Sequence, residues 1–196
     1  METFTYKNVY LNEVSTIAGP YEKKGPLGSY FDKTYDEFYF HKKTWEQAES
    51  KLIEESIDLV LRKLNKTSFD IDVHIGGDLL NQIVASNYAA SRLKIPFLGI
   101  YSACATSMEG MIIGANLVEA KLVKNCFLTT PSHNNAAEKQ FRYPVEYGAV
   151  KKKTTTFTVT GGTCAYLSRE KSMIKIDSAT IGTVEDMGEK DVMNMG

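Results

Sequence analysis

The sequence predicts an α/β fold in which a mixed, mainly parallel sheet is covered by helices, and three observations carry that prediction. First, Ile71 to Thr130 alternates strand, helix, strand, helix, strand, an order that demands right-handed crossovers and parallel pairing. Second, PFLGIYSACATSMEG, from Pro96 to Gly110, passes from a short apolar strand through a turn of small residues into a helix. Third, 196 residues with 43% hydrophobic and 24% charged residues have the composition of a soluble globular chain with a sizeable core.

Asn8 to Ile17 reads as a strand, and Gly19, Pro20, Gly25, Pro26 and Gly28 then break the chain into an irregular loop. Tyr30 to Lys43 interleaves aromatic residues with charges, a pattern for packing the loop onto the domain or for forming a lid. Thr44 and Gln47 have capping-box spacing. The apolar residues Trp45, Ala48, Leu52, Leu59, Val60 and Leu64 then follow helical periodicity, predicting a helix over Trp45 to Leu64. Ile71, Val73 and Ile75 alternate with Asp72 and His74 as a strand that ends at Gly76 and Gly77, so His74 is read as a strand side chain. A second helix is expected over Asp78 to Leu93, with Pro96 opening the central strand.

The helix after Cys104 carries Met108, Met111, Ile112, Ile113, Ala115, Leu117 and Val118 nearly all the way round, so burial is expected on every side. Asn125 to Thr130 is the next strand. Thr154 to Thr160 and Thr163 to Leu167 read as strands around Gly161 and Gly162, with a last strand region over Ile174 to Thr183.

The charge of −1, with both signs interspersed, gives no field for nucleic acid, and Lys151 to Lys153 is too short a basic run to change that. Cys104, Cys126 and Cys164 are widely spaced, without CxxC pairs or nearby histidines, so neither a disulfide framework nor a zinc or other metal site is expected. No leader-like segment opens the chain and no window approaches the roughly 18 apolar residues of a membrane helix, and the reading is a reducing, cytosolic setting.

In a parallel sheet, functional residues lie beyond the carboxyl ends of the strands. Three segments fall there: Gly76 to Asn81, Ser102 to Thr106 and Pro131 to Asn135. Cys104, at a strand-to-helix junction, meets the positive end of the helix dipole and unpaired N–H groups. That geometry suits a thiolate nucleophile or a site for an anion, and equally a small buried residue.

Several motifs resemble the thiolase-fold condensing enzymes: SACATSMEG at Ser102 to Gly110 resembles their nucleophile turn, and TFTVTGGTCAYLS at Thr156 to Ser168 their late strand and glycine turn. More narrowly, GPYEKKGPLG at Gly19 to Gly28, GGDLLNQ at Gly76 to Gln82, SACATSMEG, and SHNNAAEKQFRYPVEYG at Ser132 to Gly148 resemble the stage V sporulation protein AD family. The resemblance implies a non-enzymatic protein that binds dipicolinic acid, alone or as its calcium chelate, without a cofactor, and supports its uptake into the developing spore. It would act in the cytoplasm or peripherally at the forespore inner membrane with membrane-embedded sporulation proteins. The implied ligand residues are Cys104, Ala105 and Thr106 at the helix start and Ser132, His133, Asn134 and Asn135 opposite, with Lys139 and Arg142 adding positive charge.

The alternative is a thiolase-like acyltransferase with Cys104 as nucleophile. In that superfamily the partner histidines come from the second half of a duplicated fold, whereas the histidines here are His41, His74 and His133. The resemblance therefore implies that residues 1–183 form the first half, that 184–196 lead towards an absent second half, and that the chain is a fragment, inactive on a third reading. It also implies a homodimer paired through the strand Asn125 to Thr130.

Overall fold

A computed structural model describes residues 2–141 and 158–190. In chain order, β1 (Glu2–Thr5) and β2 (Tyr10–Ala18) lead into a single helical turn, α1 (Pro20–Lys23), and then β3 (Lys33–Thr34). The long helix α2 (Trp45–Leu64) is followed by β4 (Val73–Gly76), α3 (Val84–Leu93), β5 (Phe97–Gly99), α4 (Thr106–Glu119) and β6 (Asn125–Ser132). Then come α5 (Asn134–Phe141), β7 (Gly161–Ser168), β8 (Ile174–Lys175) and β9 (Ser178–Ile181). The main sheet has the order β3-β2-β7-β6-β4-β5, with β8 also on β2, while β1 and β9 form a separate antiparallel pair.

The alternating stretch folds as expected: β4 pairs parallel with both β5 and β6, and α3 and α4 are the crossovers. β7 inserts antiparallel between β6 and β2, which makes the sheet mixed. Side-chain alternation along β6 divides the core in two. Phe127 packs with Cys164 and Tyr166 against Ile53, Ile57 and Val60 of α2. Cys126 and Leu128 pack with Val73, Ile75 and Leu167 against Ala115 and Val118 of α4.

Helix α2 spans Trp45–Leu64 as its periodicity predicts. Thr44 Oγ1 accepts from the Gln47 N–H at 3.2 Å, while Gln47 Oε1 accepts from the Lys43 N–H rather than from that of Thr44, so the box is offset by one residue. Asn65, left-handed at φ 52°, ends the helix. Its stripe of Ala48, Leu52, Ile53, Ile57 and Val60 is fully buried, each large side chain contributing about 1.5–3 kcal/mol. Within the aromatic loop, Tyr35 and Phe40 are buried and Tyr30 and Tyr39 are exposed, so packing is its main role.

Five expectations are corrected. The helix expected from Asp78 begins at Val84, because Asp78 Oδ1 and Oδ2 accept from the N–H groups of Leu80 (2.8 Å) and Ser86 (2.7 Å), bending the chain through left-handed Gln82 and Ile83 before the helix can start. The strand opened by Pro96 is an edge strand rather than the central one. Gly161 and Gly162 are the first residues of β7 rather than a turn, and Thr158–Thr160 are irregular; 154–157 lie outside the described residues. Helix α4 is not buried on every side, since Met108 is 57% exposed. Finally, β6 cannot pair with a second chain, because β4 and β7 already occupy both of its edges.

Candidate functional site at the strand carboxyl ends

The Cys104 turn is built by close backbone packing. The Ile100 N–H donates to Gly76 O at 3.0 Å. A Cβ on Gly77 would come within 1.9 Å of Ile100 O, so only glycine fits there. Beyond the strand, the Ser102 N–H donates to Thr106 Oγ1 (3.2 Å) and the Ala105 N–H to Ser102 O (2.9 Å), closing a short turn around Ala103 and Cys104. Ala103 is left-handed at φ 46°, a conformation costly for a residue with a Cβ, and it sets the pose of Cys104. No sequence signal marked this strain, since the position carries no glycine or asparagine.

Cys104 and Ala105 are exposed and Thr106 is buried. Helix α4, fourteen residues long, starts without a side-chain cap, and its first N–H, that of Thr106, donates to Ala103 O of the turn, so the positive end of the helix dipole lies at the Cys104 turn. Cys126 and Cys164 are buried instead, and burial pushes the Cys126 thiol up to about 12. Among the described residues no histidine stands beside Cys104. His74 is buried in β4, its Nε2 2.6 Å from Thr129 Oγ1, and desolvation lowers its pKa to about 3. His41 lies exposed near Glu37.

The second set of candidates divides between the two faces of the sheet. Ser132 is half-buried with an unpartnered hydroxyl and opens on a cavity of about 280 Å³ lined by Thr16, Phe31, Thr130, Val159 and Thr163. His133 turns the other way and is wholly buried. Its ring stacks on Trp45 and donates through Nε2 to Phe38 O at 2.7 Å, and desolvation lowers its pKa. Asn134 is structural at the start of α5: its N–H donates to Thr160 Oγ1 and its Nδ2 to Thr158 O. Asn135 is half-buried, Lys139 faces Glu46 at 3.7 Å, and Arg142 lies outside the described residues.

The helix-start residues and Ser132 therefore share one end of the sheet, but β4 lies between β5 and β6, which separates them by two strand spacings, about 10 Å. Sequence reasoning also missed a buried acidic pair behind this end. Glu49 is fully buried with no normal hydrogen bond to either carboxylate oxygen. Desolvation, then the charges of Asp78 and Glu46, push its pKa well up, weakly opposed by the His133 backbone N–H. Only its place on the inner stripe of α2 could have signalled this.

Comparison with solved structures places the fold. OleA from Xanthomonas campestris is similar with a TM-score of 0.57 and 13% identity, over 84% of this chain and 57% of that one. The 3-oxoacyl-(acyl carrier protein) synthase III of Xanthomonas oryzae pv. oryzae is similar with a TM-score of 0.54 and 14% identity, over 85% of this chain and 57% of that one. The fold is thiolase-like. Among curated sequences, stage V sporulation protein AD of Bacillus subtilis (strain 168) is 47% identical over all 196 residues, and the chain spans 58% of its length. A family model for stage V sporulation protein AD matches residues 2–196. This chain, with its uncapped helix behind an exposed cysteine turn, belongs to the stage V sporulation protein AD family.

Proposed function

We propose that the chain contributes a dipicolinate-binding surface without catalysing a reaction, and that the whole protein supports uptake of this dianion into the developing spore together with membrane-embedded sporulation proteins. The observation that carries this reading is the uncapped start of α4 at the exposed Cys104 turn. N–H groups at a helix start favour a carboxylate. The Ser132 hydroxyl, unpartnered at the same end of the sheet, is a donor for a second polar contact, whereas His133 and Asn134 act by holding β6 and α5 in place.

Calorimetric titration of the full-length protein with dipicolinate, with and without calcium, tests the reading. Binding is expected, pyridine-2-carboxylate binding at least ten-fold more weakly, since it lacks one carboxylate. Cys104→Phe should abolish the heat by filling the turn. Absence of heat with dipicolinate in both conditions would reject the proposal.

A second reading, acyl transfer on Cys104, is favoured by one observation: this is the exposed cysteine of the three, at a helix start. Incubation with an acyl-CoA and intact-mass measurement decides it. A stable increment that disappears in Cys104→Ala supports transfer, and an unmodified mass retires it.

A further inference from the structure

At the end of the sheet opposite Cys104, the beginning of β6 at Asn125 and the end of β7 at Ser168 line a concavity of about 580 Å³. Its lining includes Lys66, Lys121, Lys124 and Arg169 against Asp70 and Glu170, an excess of positive charge on a chain whose net charge is −1. Among the described residues Lys66, Lys121 and Lys124 make no ion pair. Asp70 turns its carboxylate back onto the backbone and hydroxyl of Thr67. Arg169 is anchored by Nη1 to the Val118 and Glu119 carbonyls at the end of α4.

Two apolar side chains stand out beside this basic hollow: Phe69 is 96% exposed and Leu122 is 73% exposed. The loops that carry them are tied together. Asn125 Nδ2 donates to Asp70 O at 2.9 Å, and the Lys124 N–H donates to Asp72 Oδ2 at 2.6 Å. Phe69 and Leu122 thus flank one concavity, each next to residues that line it. Neither packs into the core, so folding does not account for them.

We propose that this face docks on the surface of an anionic phospholipid bilayer, the lysines meeting lipid phosphates while Phe69 and Leu122 enter the interfacial zone. Basic charge and exposed apolar tips on one surface are the two signals that together give peripheral membrane binding. Charge alone would also suit a soluble anion; the paired apolar tips favour a bilayer. The surface is separate from the proposed dicarboxylate site, lying at the other end of an eight-residue strand, about 26 Å away. Docking here would leave the Cys104 end facing the aqueous phase.

Co-sedimentation of the full-length protein with phosphatidylglycerol-containing vesicles, compared with phosphatidylcholine vesicles, tests this. Binding to the anionic vesicles is expected to fall steeply with added salt. At about five-fold per lysine, the Lys66→Glu, Lys121→Glu, Lys124→Glu combination should weaken partition about a hundred-fold, and Phe69→Ser with Leu122→Ser about ten-fold. Lys42→Glu with Lys43→Glu, at the opposite end of α2, should change little. Circular dichroism verifies folding, and Leu122→Ser alone gives the same reading should the charge-reversed protein not fold. Equal binding to both vesicle types, or undiminished binding by the folded variants, overturns the proposal. Dipicolinate calorimetry on these variants stays unchanged, so the two proposals fail separately.

Discussion

Glu49 and His74 are both fully buried, and each is held in its uncharged form by desolvation. Their effects on stability have opposite signs. Glu49 has a folded pKa above its unfolded value, so the folded state holds its proton more tightly and loses stability as pH rises from the ordinary carboxylate range. Glu49→Gln, which has no proton to lose on unfolding, should therefore raise stability at neutral pH by about 1–3 kcal/mol, and the gain should vanish below about pH 4.5. Urea denaturation of both proteins at several pH values measures it; a destabilised variant at pH 7 would mean that the carboxylate is engaged. His74 has a folded pKa near 3, below its unfolded value of 6.5, so it draws stability out of the fold as pH falls through that window. Its imidazole proton resonances should stay unshifted from pH 7 to pH 5 in NMR spectra, and a shift over that range would contradict the buried, neutral ring.

At the scale of single elements, the two glycines of α4 serve different ends. A Cβ on Gly114 would stand 2.8 Å from Cys126 Sγ and 3.0 Å from Leu128 Cδ2, so the helix lies close on β6 because that side chain is missing. On Gly110 a Cβ would meet nothing nearer than 3.5 Å. Gly110→Ala should thus stabilise by up to about 1 kcal/mol through helix propensity, whereas Gly114→Ala should destabilise by about 1–3 kcal/mol through overpacking. Thermal melts that move the same way would contradict the contrast. Elements whose local pattern agreed with their packing were legible in the sequence: α2 from its stripe and caps, and β4, β5 and β6 from their alternation with helices. The start of α3 was hidden because the side chain of Asp78 rewrites the backbone there. In the site, the Cys104 turn was legible from its small residues, but the inward turn of His133 was not, because a one-residue change along β6 moves a side chain to the other face.

At the scale of the whole molecule, the sheet determines where another copy could join it. Antiparallel or parallel extension needs an open strand edge, and β6 is flanked on both sides, by β7 over Asn125–Ser132 and by β4 over Cys126–Thr129. The two ends of the sheet are β3 and β5. The two-residue β3 is guarded by charge, with Lys33 engaged by Glu55 at 2.9 Å. Strand β5 carries no such guard: Leu98 is 45% exposed, and Tyr88 and Tyr101 stand exposed nearby in sequence. Self-association through the sheet is therefore predicted to run along β5. Leu98→Lys, which adds charge to the edge without entering the core, should shift a dimer to monomer in sedimentation velocity, whereas Thr130→Lys on β6 should leave the association state unchanged. A dimer indifferent to Leu98→Lys would move the contact off the sheet edge, onto the exposed apolar side of α4 around Met108.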